Sequence, residues 1–255
     1  MNYGLWMSAA GLGSQVHRQN ILSNNLANAS TTAFKPDFTQ TIERPTAVEE
    51  LGKMATSAHM LEKLGGGVLS EPTWTNFAQG GFEESGNPLD LALEGPGFFM
   101  VKDAAGENQL TRAGVFERSR EGLLVDPNGN TVLDTRGKSI RLPEADAGLI
   151  TIGPDGTIST GDGDVAGQIS IVSAEGSDLR KSGKNLYQFV GKGAPAAADV
   201  HTTVRQGWTE ASGTDPILEM TRMVDTSRAV QANARLIGIH DEVMNLAVNR
   251  LGSTA

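Results

Sequence analysis

Taken at every seventh residue, the C-terminal stretch gives Met223, Val230, Ile237, Met244 and Leu251. A neighbouring lane gives Met220, Ser227, Ala234, Asp241 and Val248. One lane is apolar throughout and the other mostly small or apolar, which is a heptad seam kept for about four heptads. Asp215 is placed to cap the first free amides and Pro216 suits the first helical position. Glu219 and Arg250 match the helix dipole at the two ends, and Gly252 stops the helix. The pattern predicts one helix over 216–251, about 54 Å long at ~1.5 Å per residue. So long a seam needs a long partner. At the N-terminus, Leu5, Ala9, Leu12, Val16 and Leu26 fall at helical spacing over roughly Tyr3 to Ala27, with Gln19 and Ser23 in the remaining seam positions. The small residues Ala9, Ala10, Gly11 and Gly13 allow close approach by another backbone. Glycine costs a helix ~1 kcal/mol relative to alanine, so this helix is expected to be weak alone and firm when packed. Asn24, Asn25 and Asn28, followed by Ser30, Thr31 and Thr32, read as its stop. The two helices are expected to lie antiparallel as one hairpin.

Between them the period changes. Residues 84–208 carry short apolar runs, among them Leu89-Leu91-Leu93 in alternation, Phe98 to Val101, Leu123 to Val125, Leu149 to Ile152, Ile169 to Val172 and Leu186 to Phe189. Turn residues separate them, as at Asp126-Pro127-Asn128-Gly129 and Gly153-Pro154-Asp155-Gly156. Short strands with turn signals about every 8–12 residues predict an antiparallel all-β domain. Residues 31–83 read as an extended connector: Pro36 forces Lys35 out of helical space, Val48 to Leu64 has helical character without a clean face, and Gly65 to Gly67 break it. The fold class is therefore α+β: 1–30 and 209–255 form the terminal helical domain around 84–208.

Composition removes several kinds of chemistry. The formal charge is −9 (21 basic against 30 acidic residues) with no run of Lys and Arg, so nucleic acid is a poor partner. There is no cysteine, which excludes disulfides and thiolate sites. No stretch approaches the roughly 20 apolar residues of a membrane span, and no basic-then-apolar signal peptide is visible. Asp126, Asn128 and Asn130 copy the opening of a calcium loop, but Thr131 and Gly137 stand where glycine and an acid are required, so a hairpin turn is the reading. His17, His59, His201 and His240 have no partner at metal spacing, and no Gly-x-Ser-x-Gly elbow occurs. No cofactor and no catalytic or metal-binding residue is expected.

Three sets of residues carry a resemblance. Asn24-Asn25-Leu26-Ala27-Asn28 continued by Ser30 to Lys35, then Gly86-Asn87-Pro88-Leu89-Asp90-Leu91-Ala92 with Gly95 to Phe99, then Leu110 to Phe116 with Gly122 to Val125, are similar to the motifs of the bacterial flagellar rod and hook proteins, in order and over nearly the whole chain. Ala33 departs from the glycine usual there, and Val230-Gln231 from the usual aromatic-acid pair. The resemblance implies a structural subunit, not an enzyme, exported unfolded through the flagellar type III apparatus without a cleaved signal. It implies a periplasmic rod in which the subunit polymerises helically with proximal- and distal-rod proteins or copies of itself. Its length and its lack of a Leu-Pro-Ser-Gly stretch after the first linker are closest to the proximal-rod type. Distal-rod or hook-type subunits are the alternatives within the family, and a coiled-coil-stalked β-domain adhesin the one outside it. The subunit interface expected on this reading comprises Leu5, Leu12, Val16, Asn24, Asn25, Leu26 and Asn28 at the N-terminus. At the C-terminus it comprises Met220, Met223, Val230, Ile237, Met244, Val248 and Leu251.

Overall fold

A computed structural model describes residues 3–45, 65, 67–142, 150–161, 163–199 and 201–252. The chain forms two compact units, one of Met1–Ala27, Asp37–Thr75 and Asp215–Ala255, the other of Asn28–Pro36 and Asn76–Thr214. The class is α+β, with two long helices at the ends and antiparallel strands between.

The first unit holds helix α1 (Tyr3–Ala27), strands β1 (Asp37–Phe38), β2 (Thr41–Glu43), β3 (Val68–Ser70) and β4 (Trp74–Thr75), and helix α2 (Pro216–Gly252). The Asp215 carboxylate accepts the amides of Ile217 (2.9 Å) and Leu218 (3.2 Å), so the expected cap forms. The stretch 31–83, expected as a connector, contributes two antiparallel pairs here, β1–β4 and β2–β3. The helical character expected for Val48 to Leu64, and Leu149 of the expected strand series, lie outside the described residues.

The second unit opens with β5 (Phe82–Glu84), β6 (Leu91–Glu94), β7 (Phe98–Lys102), β8 (Asn108–Thr111), β9 (Glu117–Arg118), β10 (Leu124–Val125) and β11 (Thr131–Val132). It continues with β12 (Thr151–Ile152), β13 (Thr157–Ser159), β14 (Val165–Gln168), β15 (Ile171–Ser173), β16 (Leu179–Gly183), β17 (Leu186–Phe189), β18 (Ala196–Ala197), β19 (Thr203–Gln206) and β20 (Trp208–Glu210). A nine-stranded antiparallel sheet runs β16-β17-β8-β7-β11-β10-β9, with β15 joining β7 to β18. A three-stranded sheet (β12-β13-β14) and the pairs β19–β6 and β20–β5 complete the unit. Leu91, Leu93, Phe99, Val101, Phe116, Leu124 and Ile158 meet in the main core, and Phe98, Leu110, Val172 and Tyr187 in a second cluster.

One local rule recurs in the hairpins. At Asp103, Asp126 and Asp134 a glycine follows three residues later, and its amide donates to the aspartate carbonyl at 2.9–3.0 Å. In each case the aspartate Oδ1 also accepts the amide four residues on, at 2.7–2.9 Å. Gly106, Gly129 and Gly137 all have φ between 75° and 86°, a conformation costly to side-chain-bearing residues. Asp126 and Asn130 are thus spent on closing a turn.

Candidate assembly surface

The helices of the first unit pair by a rule visible in three contacts. Asn25 Nδ2 donates to Glu219 Oε2 (3.4 Å), a Cβ on Gly11 would lie 3.4 Å from Asn233 Oδ1, and one on Gly4 would lie 2.6 Å from His240 Cε1. In each case residue i of α1 faces residue 244 − i of α2. The spacing between contacts is one or two heptads on both helices, so the pair is antiparallel with a coiled-coil register. The α2 lane that faces α1 is Glu219, Thr226, Asn233 and His240, buried or half-buried and wholly polar. Met220, in the second lane of the expected seam, is exposed. The adjacent lane of Met223, Val230 and Ile237 is half-buried.

The N-terminal helix is rotated likewise. Its buried positions are Ser8, Ser14, Leu22 and Asn25. At ~100° per residue, Leu5, Ala9, Leu12 and Val16 form a stripe about a third of a turn away from the α2-facing positions Gly4, Gly11 and Asn25. Leu5, Ala9 and Val16 are exposed and Leu12 is half-buried. The predicted stripe therefore exists but does not face α2. Another side of α1 is covered by β2 and β3, where Ser14 Oγ bonds Thr41 Oγ1 (2.9 Å) and Ser70 Oγ (3.1 Å). Gly11 does admit close approach, whereas a Cβ on Gly13 would meet nothing within 4 Å.

The polar contacts have a physical cause. Asn25 is fully buried: its Nδ2 donates to Asp37 O (2.8 Å) and its Oδ1 accepts the Asp37 amide (3.0 Å). Glu219 is 3% exposed and its Oε1 also accepts from Arg222 (2.7 Å). Asn24 is exposed and Leu26 half-buried. Asn28 accepts the amide of Thr31 on its carbonyl and the hydroxyl of Thr31 on its side chain.

The register partner of Tyr3, the first described residue of α1, is residue 241, and the described part of α2 runs 11 residues beyond it to Gly252, about 16 Å at ~1.5 Å per residue. Met244 continues the Ile237 lane, and Val248 stands three turns beyond Ile237 on the same side. They are 48% and 65% exposed. Leu251 lies in the last turn, its side chain outside the described residues. Trp6, Met7, Leu236, Ile239, Val243 and Leu246 add further exposed apolar side chains.

The second unit contains a buried ion cluster. Glu210 Oε1 accepts Lys35 Nζ (2.5 Å) and the Gly80 amide (2.9 Å), while Oε2 accepts Arg112 Nε (2.7 Å). Arg112 spends its remaining donors on the carbonyls of Leu93, Gly95 and Gly97, and Lys35 donates to Ala78 O. Burial alone would raise the Glu210 carboxyl. The Arg112 charge and hydrogen bond, the Gly80 amide and Lys35 outweigh it and hold the group below its ordinary range. Burial lowers the Lys35 ammonium, opposed by Glu210 and assisted by Arg112, and it stays lowered. The two directions agree, since one anion shared by two cations is over-compensated and the weaker-held cation is not. Sequence reading placed Lys35 and Arg112 in motifs but gave no sign of the carboxylate that joins them, 175 and 98 residues away.

Among the described residues there is no group of three or more His, Asp or Glu able to hold a metal ion, and no helix long and apolar enough to cross a membrane. The first unit is instead a helix pair whose contacts include polar and glycine positions and which leaves Leu5, Val16, Met220, Met244 and Val248 exposed. Three family models match the chain: the flagella basal body rod protein at residues 8–35, the flagellar hook protein FlgE/F/G D1 domain at 92–160, and the flagellar basal body rod FlgEFG protein C-terminal region at 205–250. The chain is 34% identical to the flagellar basal-body rod protein FlgF of Caulobacter vibrioides, covering 91% of each protein. It is 30% identical to the rod protein FlgG of Bacillus subtilis (96% of this chain, 97% of that one) and 29% identical to FlgG of Agrobacterium fabrum (97% and 98%). The chain belongs to the flagellar basal-body rod and hook protein family.

Proposed function

We infer that this chain is a structural subunit of the flagellar basal-body rod, without enzymatic activity, and that it polymerises helically through α1 and α2 with other flagellar axial proteins. The observation that carries the reading is the continuation of the helical seam to Met244 and Val248, both exposed apolar side chains. Covering a side chain such as these contributes on the order of 1 kcal/mol each, half the value for a fully buried one. Several such side chains on each of many protomers suffice to order an array, and a repeated head-to-tail contact grows an open helical structure. The expected interface therefore comprises the apolar stripe of Leu5, Leu12 and Val16 with the α2 lanes and overhang, while Asn25 serves the interior of its own unit. The 34% identity to FlgF, against 29–30% to the FlgG proteins, favours the proximal rod over the distal-rod alternative. Passage through the flagellar export apparatus without a cleaved signal, and a periplasmic location, follow from the same reading. The family matches give no support to a stalked adhesin.

The test is complementation of a strain lacking this gene with Met244→Glu/Val248→Glu. Both side chains are exposed, so the monomer should melt as the parent does. The strain should nevertheless fail to swim and its basal bodies should lack a complete rod by electron microscopy. Normal swimming would remove the terminal helices from the assembly role.

A further inference from the structure

Residues 28–36 follow α1 directly in the chain, yet their long-range bonds run to the second unit. The Ala33 amide donates to Glu210 O (2.8 Å) and the Gly213 amide to Phe34 O (2.9 Å). Asn185 Nδ2 donates to Thr32 O (2.8 Å), Lys181 Nζ to Lys35 O (2.6 Å), and Ser212 Oγ to Asn28 O (3.0 Å). Lys181 Nζ also stands 4.7 Å over the Phe34 ring. At the centre Lys35 and Glu210 are each 1% exposed. Lifting the segment would leave Glu210 with one cation fewer inside the protein. A buried ion pair broken on one side is strongly unfavourable, so the segment is held in an all-or-none manner.

We propose that residues 28–36 are a clasp which closes on Glu210 and shortens the loop across which the two terminal helices must find each other. The argument is one of chain length. Asn25 and Glu219, the pair at the root of the hairpin, are 194 residues apart in sequence. With the clasp shut, the connecting path runs from 25 to 33, crosses to 210 and continues to 219, a loop of 17 residues. With the clasp open, the β sheets of the second unit folded and the pairs β1–β4 and β2–β3 of the first unit not yet formed, the next chain segment tied to Glu210 is Gly80, and the loop becomes 64 residues. Closure probability falls as about the 3/2 power of loop length, so the clasp raises the rate at which the helices meet by about sevenfold. On this view the β body is a template for the hairpin.

The absence of cysteine makes the idea measurable in the full chain. A Gly11→Cys/Asn233→Cys pair sits at a helix–helix contact, and its disulfide-forming rate during refolding reports the encounter. Twelve Gly/Ser residues inserted between Ala29 and Ser30 lengthen the loop inside the clasp from 17 to 29 residues and should slow cross-linking about twofold. The same insertion after Ala55 lies outside that loop and should leave the rate unchanged. Equal slowing by the two insertions, or none by the first, overturns the proposal. Lys35→Glu, which faces Glu210 with a second carboxylate, and Ala33→Pro, which removes the amide held by Glu210 O, should each slow cross-linking about sevenfold and abolish the difference between the insertions. A difference that persists in both also overturns it.

Discussion

Replacing Glu210 by Gln tests the ion cluster directly. Glu210 is 1% exposed and is the shared acceptor for Lys35 at 2.5 Å and Arg112 at 2.7 Å. The amide keeps the shape and one acceptor oxygen but loses the charge, leaving two buried cations with no counter-ion. Breaking a buried pair by removing one partner costs about 3–5 kcal/mol. A body of about 150 residues loses roughly 2–4 °C of Tm per kcal/mol, so the second unit should melt about 6–20 °C earlier. Trp208, in β20 and 4.5 Å from the Arg205 guanidinium, reports this unit once Trp6 and Trp74 are changed to Phe. The pH dependence supplies an independent check. The Glu210 carboxyl is held below its ordinary 4.5, so its contribution is fully present above 4.5 and is lost as pH falls through the depressed value. Glu210→Gln should lose that acid limb. Lys35 is also held below its ordinary 10.5, which means the native state bears a cost for its charge at neutral pH; stability should rise as pH climbs through the lowered value towards 10.5. Removing that cation as well, in Glu210→Gln/Lys35→Met, should restore part of the loss. A single mutant within ~1 kcal/mol of the parent at pH 7, with its acid limb intact, would refute the reasoning.

Four further changes follow from backbone geometry. Ala33 is fully buried with φ 53°, so Ala33→Gly relieves left-handed strain and should stabilise the second unit by about 0.5–1 kcal/mol in urea titration. Gly13 faces open space in α1, and Gly13→Ala should raise the stability of the helical unit by ~1 kcal/mol by circular dichroism; Gly4→Leu, whose Cβ would lie 2.6 Å from the His240 ring, should lower it. A Cβ on Gly114 would lie 1.7 Å from the Leu91 carbonyl, a backbone atom that cannot move aside while the Leu91 amide is bonded to Gly114 O at 2.8 Å. Gly114→Ala should therefore abolish cooperative melting of the β body or lower its stability by several kcal/mol, and a parent-like melt would contradict that packing.

Helix existence and most strand positions were legible because each rests on a local period. α1 spans Tyr3–Ala27 as expected from spacing and its asparagine stop, and the Asp-x-x-Gly turns bond within five residues of themselves. The helix–helix face was not legible, and the reason is chemical. A search for apolar lanes assumes that the partner inside the same chain takes the most apolar stripe. Here Glu219, Thr226, Asn233 and His240 share the α1-facing side of α2 with the half-buried Met223, Val230 and Ile237, opposite Gly4, Gly11, Leu22 and Asn25, while the Leu5–Val16 stripe of α1 lies about a third of a turn away. On the proposed assembly reading, the exposed apolar side chains are reserved for contacts the isolated chain lacks. Polar and glycine pairs fix a register at little net stability, so they set how the two helices align without using up the exposed stripes. Spacing found the apolar stripes, but it did not show that polar residues would share the α1-facing side of α2 with Met223, Val230 and Ile237. Sequence spacing shows which residues share a stripe, but only the fold shows that the hairpin closes on a mixed polar and apolar face and leaves the Leu5–Val16 stripe outside it.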